Sequence, residues 1–250
     1  MRVGLIGAGN MARAMARGWG DPVLASDSGS GRAAKLAQEL GGEAATSVEV
    51  ARGADLVVLC HKPYQLDQVA AELAGEVSVL VSVLGGTTVE QLQKAYPGVP
   101  VFRMEPNTPV EVRRGILCYS PAADVDPRLE RDVIGLFELL GTVVTVPESL
   151  LWAATSISAV GPAYMALVAE AQIDAAVRHG LTPHLAGSLA AETMAGTAAL
   201  LQERGYDTLT VRREVTSPGG STARGLDALE RGGLRSAFSE AMDRVRRTTG

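Results

Sequence analysis

The chain has 250 residues, enough for one large domain or two ordinary ones. It is 46% hydrophobic and 20% charged, with a formal net charge of −5 and no basic stripe, which argues against nucleic acid as a partner. Two cysteines, Cys60 and Cys118, give neither a disulfide framework nor a metal site, and His61, His179 and His184 lack metal-ligand spacing.

In chain order, Val3, Leu5 and Ile6 form a short apolar strand, followed at once by Gly7-Ala8-Gly9-Asn10-Met11-Ala12 and a helix from Met11 to Trp19. Strand, glycine turn and helix are the context that a dinucleotide fingerprint requires. Gly7 permits the tight turn, Gly9 lets backbone approach a pyrophosphate, and Ala12 lets the helix pack on the strand. The helix N-terminus offers free N–H groups and a positive dipole end to phosphates. A structural turn with no ligand is the alternative reading.

Pro22 to Ser26 reads as a second strand ending at Asp27. An acidic residue there accepts ribose hydroxyls and disfavours a 2′-phosphate. Ser28, Ser30 and Arg32 lie just beyond and offer the opposite chemistry, so NAD(H) and NADP(H) both stay open, as does an Asp that merely starts a turn. Gly31 to Leu40 reads as a helix closed by Gly41-Gly42. Asp55 to Cys60 is apolar without alternation, as in a buried parallel strand. Helices at Leu66 to Leu73 and Val89 to Tyr96 then alternate with strands at Val77 to Val83 and Val101 to Met104. This alternation predicts a doubly wound, mostly parallel sheet of Rossmann type. Ligands bind at the carboxyl ends of such strands. The loops that matter are therefore Gly7–Met11, His61–Gln65, Val83–Thr88 and Glu105–Pro109.

Further strands at Ile116 to Tyr119 and Thr142 to Val146 flank a helix from Arg128 to Leu140. From Glu148 the strand signal fades and Ala, Leu and Met recur at helical spacing. The expected domains are 1–147, dinucleotide-binding, and 148–250, all-α. Helices are expected from Ser158 to Arg178, Pro183 to Glu203, Val211 to Val215, Ser221 to Arg231 and Leu234 to Arg246. Apolar on several faces, they need covering, which predicts a homodimer through this half. Arg244, Arg246 and Arg247 read as a solvated helix end. Ile157 to Val168 reads as too short and too interrupted to span a bilayer. No signal peptide is expected at the N-terminus, and the cysteine usage suits a reducing cytoplasm.

Thr216-Ser217-Pro218-Gly219-Gly220-Ser221-Thr222 is the second strong local signal. Its residues suit a helix start capped by Ser221 and Thr222, and equally an anion nest that grips a carboxylate.

The chain as a whole resembles the pyrroline-5-carboxylate reductases. The segments that carry the likeness are Gly7-Ala8-Gly9-Asn10-Met11, Lys62-Pro63, Arg103 followed by Pro106-Asn107-Thr108-Pro109, Gly161-Pro162-Ala163-Tyr164, and Ser217-Pro218-Gly219-Gly220-Ser221-Thr222. The resemblance implies a Rossmann domain followed by an all-α dimerisation domain. It implies reduction of a cyclic imine carboxylate with NADP(H) or NAD(H), the last step of proline biosynthesis. Ser217, Gly219, Gly220, Ser221 and Thr222 would hold the substrate carboxylate, with Thr222 on the ring nitrogen. Gly7, Ala8, Gly9, Asn10, Met11, Asp27, Ser28, His61, Lys62, Pro63 and Asn107 would lie along the cofactor. Dimers in the family often assemble further, commonly to decamers of five dimers.

The departures cluster near the cofactor: Met104-Glu105 where the family usually has a small residue and Met, Ala159-Val160 for Gly-Ser, His61 and Tyr64 beside Lys62-Pro63, and Asp27-Ser28 for Asn-Arg. They leave cofactor preference and the identity of the imine open. A reductase of a different cyclic imine is the alternative, kept alive by Glu105. A β-hydroxyacid dehydrogenase would need a lysine on the second domain's long helix, and no lysine follows Lys94. A nucleotide-sensing protein without turnover is the remaining rival, against which the intact Ser217–Thr222 loop speaks.

Overall fold

A computed structural model describes residues 1–123 and 125–246. Arg247 lies outside the described residues. The chain divides into two compact units, Met1–Pro162 and a second that begins at Ala163.

The first unit is built on an eight-stranded sheet: β1 (Val3–Ile6), β2 (Leu24–Ser26), β3 (Glu43–Ala44), β4 (Leu56–Leu59), β5 (Leu80–Ser82), β6 (Val101–Pro106), β7 (Gly115–Ser120) and β8 (Gly141–Thr145), in the spatial order β3-β2-β1-β4-β5-β6-β7-β8. All pairings are parallel except β6 with β7. Successive side chains on a strand point to opposite faces. Leu5, Leu56 and Val58 accordingly join one apolar layer with Val81, Phe102 and Tyr119. Ile6, Val57 and Leu59 join a second layer with Leu80 and Val101. Both faces are covered, which is why these strands read as continuous apolar runs.

The helices of this unit are α1 (Asn10–Trp19), α2 (Arg32–Leu40), α3 (Ser47–Gly53), α4 (Leu66–Glu72), α5 (Val89–Ala95), α6 (Pro127–Glu138) and α7 (Leu151–Ser158). α1 packs on the sheet through Ala12, Met15, Ala16 and Trp19. The Trp19 ring meets Phe137 edge-on at 5.4 Å, and its Nε1 donates to Leu136 O at 3.0 Å. β3 and α3 were not expected. β3 is two exposed residues at the sheet edge and carries no apolar signal. α3 opens on a capping box, with Thr46 Oγ1 accepting from Glu49 N and the Glu49 carboxylate accepting from Thr46 N.

α7 stays with the sheet. The Asn107 amide donates to Ser158 O at 3.0 Å, and Ser158 Oγ lies 3.5 Å from Cys118 Sγ. The compact unit therefore ends at Pro162, beyond the expected boundary at 147.

The second part of the chain is helical: α8 (Gly161–Arg178), α9 (Pro183–Glu203), α10 (Thr208–Glu214), α11 (Ser221–Arg231) and α12 (Leu234–Arg246). α8 has no buried residue, and α9 buries only Ala186 and Ala190. Leu167, Leu185, Leu189 and Leu209 are exposed. One helical stretch among the described residues, Glu148–Arg178, is long and apolar enough by length and composition to cross a membrane. The stretch is divided at Ala159-Val160, between α7 and α8. Pro162 sits in the first turn of α8, where its missing N–H costs nothing, so it does not break α8.

Candidate active site

In the first unit, the loops after β1, β2 and β4 enclose a cavity of about 510 Å³. Gly7, Ala8, Gly9, Asp27, Ser28, His61 and Lys62, far apart in sequence, all line it, whereas Asn10, Met11 and Pro63 do not. Tyr64, 86% exposed, lines it as well.

The cavity floor has the shape a pyrophosphate needs. Gly7 has φ +103, and a Cβ there would lie 2.9 Å from Cys60 C, Cys60 O and His61 N. Gly9, the N-cap of α1, would bring its Cβ no nearer than 3.9 Å to anything, so this side stays open. No side chain caps α1, so the N–H groups of its first turn are free for an anion. Ala12 is fully buried against the strand. Asn10 accepts from Arg13 Nη2 at 2.6 Å and is exposed, while Met11 packs on the core.

Asp27 ends β2 and turns back on its own loop. Its Oδ1 accepts from Gly29 N at 2.7 Å, and its Oδ2 from Ala33 N at 2.7 Å and Ser30 Oγ at 3.1 Å. The Ala33 N–H above all holds this carboxyl below the usual carboxylate range. Ser28 is exposed beside it.

Lys62-Pro63 starts a 3-10 turn over Pro63–Gln65, closed by Gln65 N on Lys62 O at 2.9 Å. His61 Nδ1 lies 2.9 Å from Lys62 O. That oxygen only accepts, so Nδ1 carries the proton and Nε2 is a lone pair; Nε2 is buried with no hydrogen-bond partner among the described residues. Burial pushes the His61 imidazole down, so it is neutral at pH 7. Burial likewise pushes the Cys60 thiol up, which makes it inert.

Asn107 and its neighbours form a different kind of centre. The Asn107 Oδ1 accepts from Ile116 N at 2.9 Å while its amide holds Ser158 O, so the side chain pins β7 and α7. It is not among the residues lining the 510 Å³ cavity. Beside it Arg103, with an 8% exposed side chain, donates to Glu148 at 2.5 Å and to Glu105 at 3.2 Å. Glu148 also accepts from Val89 N, the first N–H of α5, at 2.8 Å. Burial pushes the Glu105 carboxyl up, against the opposing pull of Arg103 and the Gly86 N–H. In the sequence Arg103, Glu105 and Glu148 stand apart, and no local pattern signals their assembly.

In the second unit, Ser217 to Thr222 leads into α11. Gly219 has φ +67, and Gly220 N donates to Ser217 O at 3.0 Å. A Cβ on Gly220 would force the Ser217 hydroxyl to turn away and press on Ser217 O. Arg224 Nη1 holds Gly219 O at 2.6 Å. The N-cap is Gly220, with no side-chain cap bond, so the expectation that Ser221 and Thr222 act as caps is corrected: they are the first two helical residues. Their N–H groups and that of Ala223 have no intrahelical partner. Ser221 is exposed and Thr222 half-buried, and no hydrogen bond engages the Thr222 hydroxyl within the described chain. Among the described residues, no group of three His, Cys, Asp or Glu could hold a metal ion.

A Rossmann sheet with a phosphate-shaped glycine loop, followed by helices that carry a second anion-receptive turn, defines a dinucleotide-dependent oxidoreductase. The comparisons with known proteins agree. Residues 2–86 match the family model of coenzyme F420-dependent NADP oxidoreductases, and residues 148–249 match that of pyrroline-5-carboxylate reductase dimerisation. The chain is 38% identical to a pyrroline-5-carboxylate reductase of Synechocystis over 78% of this chain and 73% of that protein. It is 35% identical to a pyrroline-5-carboxylate reductase of Mycobacterium tuberculosis over 96% of this chain and 93% of that protein. A solved 1-pyrroline-5-carboxylate reductase of Streptococcus pyogenes superposes with a TM-score of 0.90 at 26% identity, covering 100% of this chain and 98% of that one. The chain belongs to the pyrroline-5-carboxylate reductase family. The match to a dimerisation model supports oligomerisation through the C-terminal part.

Proposed function

We propose that this chain reduces 1-pyrroline-5-carboxylate to L-proline with NADH or NADPH. The observation that carries the reading is the near full-length likeness to a reductase of that name, 35% identical over 96% of the chain. The two anion-receptive turns support it, one for a dinucleotide and one for a carboxylate.

The cofactor, when bound, supplies a hydride to the imine carbon. The Gly7–Met11 turn and the first N–H groups of α1 hold its pyrophosphate, with Asp27 and Ser28 on one side and His61, Lys62 and Pro63 on the other. Asn107 acts by fixing the strand ends beside the nicotinamide half. Ser217, Gly219, Gly220 and Ser221 hold the substrate carboxylate on backbone N–H groups at the start of α11. Thr222 hydrogen-bonds the ring nitrogen, which carries its proton into the reaction. No strong acid or base is then needed, and holding the two reacting carbons in contact is the protein's main contribution.

The working unit is a homodimer in which one chain offers the Thr222 turn and the other the cofactor, and five dimers associate into a decamer. The exposed apolar faces of α8 and α9 are covered in this way rather than by a membrane. Free Cys60 and Cys118 suit a cytoplasmic location. Glu105, an acid where the family usually has Met, supports a second reading in which a different cyclic imine is the substrate. Steady-state turnover of 1-pyrroline-5-carboxylate and of its six-membered homologue, each with NADH and NADPH, tests both. Turnover of neither imine refutes the assignment.

A further inference from the structure

The turn after β5 is rooted at its base and bare at its tip. Thr87 N donates to Leu84 O at 3.3 Å, Leu84 N donates to Ser82 Oγ at 3.3 Å, and Leu84 and Thr87 are buried. Gly85 and Gly86 between them are exposed, and Gly86 has φ +75. A Cβ on Gly86 would meet nothing within 4 Å, and one on Gly85 would meet only Glu105 Oε2, at 4.0 Å. Among the described residues, the group that these side-chain positions face is therefore the Glu105 carboxylate.

Two backbone N–H groups tie the turn down. That of Gly86 is drawn to Glu105, and Val89 N, the first of α5, donates to Glu148 at 2.8 Å. Arg103 bridges the two carboxylates. An unbroken series of charge-assisted contacts thus runs from the tip through Glu105, Arg103 and Glu148 to the start of α5. Such bonds are roughly twice as strong as neutral ones. The Arg103 and Glu105 side chains are only 8% and 14% exposed, so water competes little. Two adjacent glycines left to themselves would sample many backbone conformations, and this clamp selects one.

The tip stands at the carboxyl end of β5, where sheets of this kind bind ligands. β5 neighbours β4, whose loop lines the 510 Å³ cavity, on the side away from β1 and β2. A dinucleotide with its pyrophosphate on the Gly7–Met11 turn and its adenosine over β2 brings its nicotinamide end towards β5. Backbone without side chains lets that end come close. We propose that Glu105 is a positioning residue for the nicotinamide end of the cofactor, acting through the Gly85-Gly86 tip that it and the Arg103–Glu148 pair hold in one conformation. This rests on the reading of the cavity as the dinucleotide site. A tip ordered before the cofactor arrives has no ordering left to do on binding, which strengthens the hold.

The experiment is calorimetric binding without imine, using NADH and NADPH, each against its fragment without nicotinamide, ADP-ribose or 2′-phospho-ADP-ribose. Glu105→Met leaves Arg103 paired with Glu148. It should weaken the better-bound dinucleotide roughly tenfold and its fragment by less than about twofold. Glu105→Gln, which keeps the shape and an accepting oxygen without the charge, should fall between Glu105→Met and wild type. Equal weakening of dinucleotide and fragment overturns the proposal in favour of a general structural role, and unchanged binding of both overturns it outright. Both outcomes leave the cavity reading standing. A wild type that binds neither dinucleotide nor either fragment overturns that reading and the proposal together.

Discussion

Replacing Arg103 by Met removes the cation that joins Glu105 and Glu148 and keeps much of its volume. Glu105 then keeps one partner, the Gly86 N–H, in a side chain 14% exposed. Glu148 is 37% exposed and still accepts from Val89 N, so water can hydrate it. The damage falls on Glu105. Breaking a buried pair by removing one member costs about 3–5 kcal/mol, because a charge is left uncompensated. Protonation relieves that cost. In the folded protein the Glu105 carboxyl already titrates above its ordinary range, through burial, and losing Arg103 raises it further. A carboxyl raised in the folded state binds more protons folded than unfolded, so stability falls as pH rises from its unfolded value through its folded one. The slope is at most about 1.4 kcal/mol per pH unit for one proton. Urea unfolding at fixed protein concentration, at about pH 5 and about pH 8, should show Arg103→Met much closer to wild type at the lower pH. Adding Glu105→Met should recover most of the loss near pH 8. A loss of equal size at both pH values, unrescued by the second substitution, would refute the buried-charge argument.

Thr222→Ala removes no cap bond, so its melting temperature should stay near wild type, whereas loss of a hydrogen bond to a charged imine nitrogen should cost about 1.5–3 kcal/mol. That is roughly a tenfold to hundredfold fall in catalytic efficiency, with cofactor affinity unchanged and Ser221→Ala much milder; reduced stability with full turnover would sink the role. Light scattering should find no active monomer, because α8 and α9 leave their apolar faces uncovered in one chain, and a monodisperse, fully active monomer would overturn the obligate dimer. Gly220→Ala should impair turnover more than Ser221→Ala, since its methyl group must displace Ser217 Oγ and so deform the turn; unchanged kinetics would show that the turn does not touch substrate.

The sheet was legible because its strands are buried on both sides and read as unbroken apolar runs, as in Leu56–Leu59. β3 was not, being two exposed residues held by an edge pairing with β2. α3 announced itself in Thr46 and Glu49, a capping box that the apolar periodicity alone does not reveal. The fingerprint turn was visible because it follows β1 at once and its first glycine needs the positive φ of +103. The orientation of Asp27 was not, because it depends on how the loop beyond it folds back. The Arg103–Glu148 contact joins residues 45 apart and is fixed only by how α7 returns along the sheet.

That return has a consequence for exchanging parts between related chains. The C-terminal family match begins at residue 148, yet Glu148 and Ser158 hold Arg103 and Asn107 of the sheet. A recombinant hybrid spliced at 147 would pair one parent's strands with the other parent's Glu148 and α7, and inherit mismatched seams. A splice within Gly161-Pro162 keeps those contacts in one lineage. The seam set by contacts near Pro162 therefore lies beyond the seam set by the family match at 148.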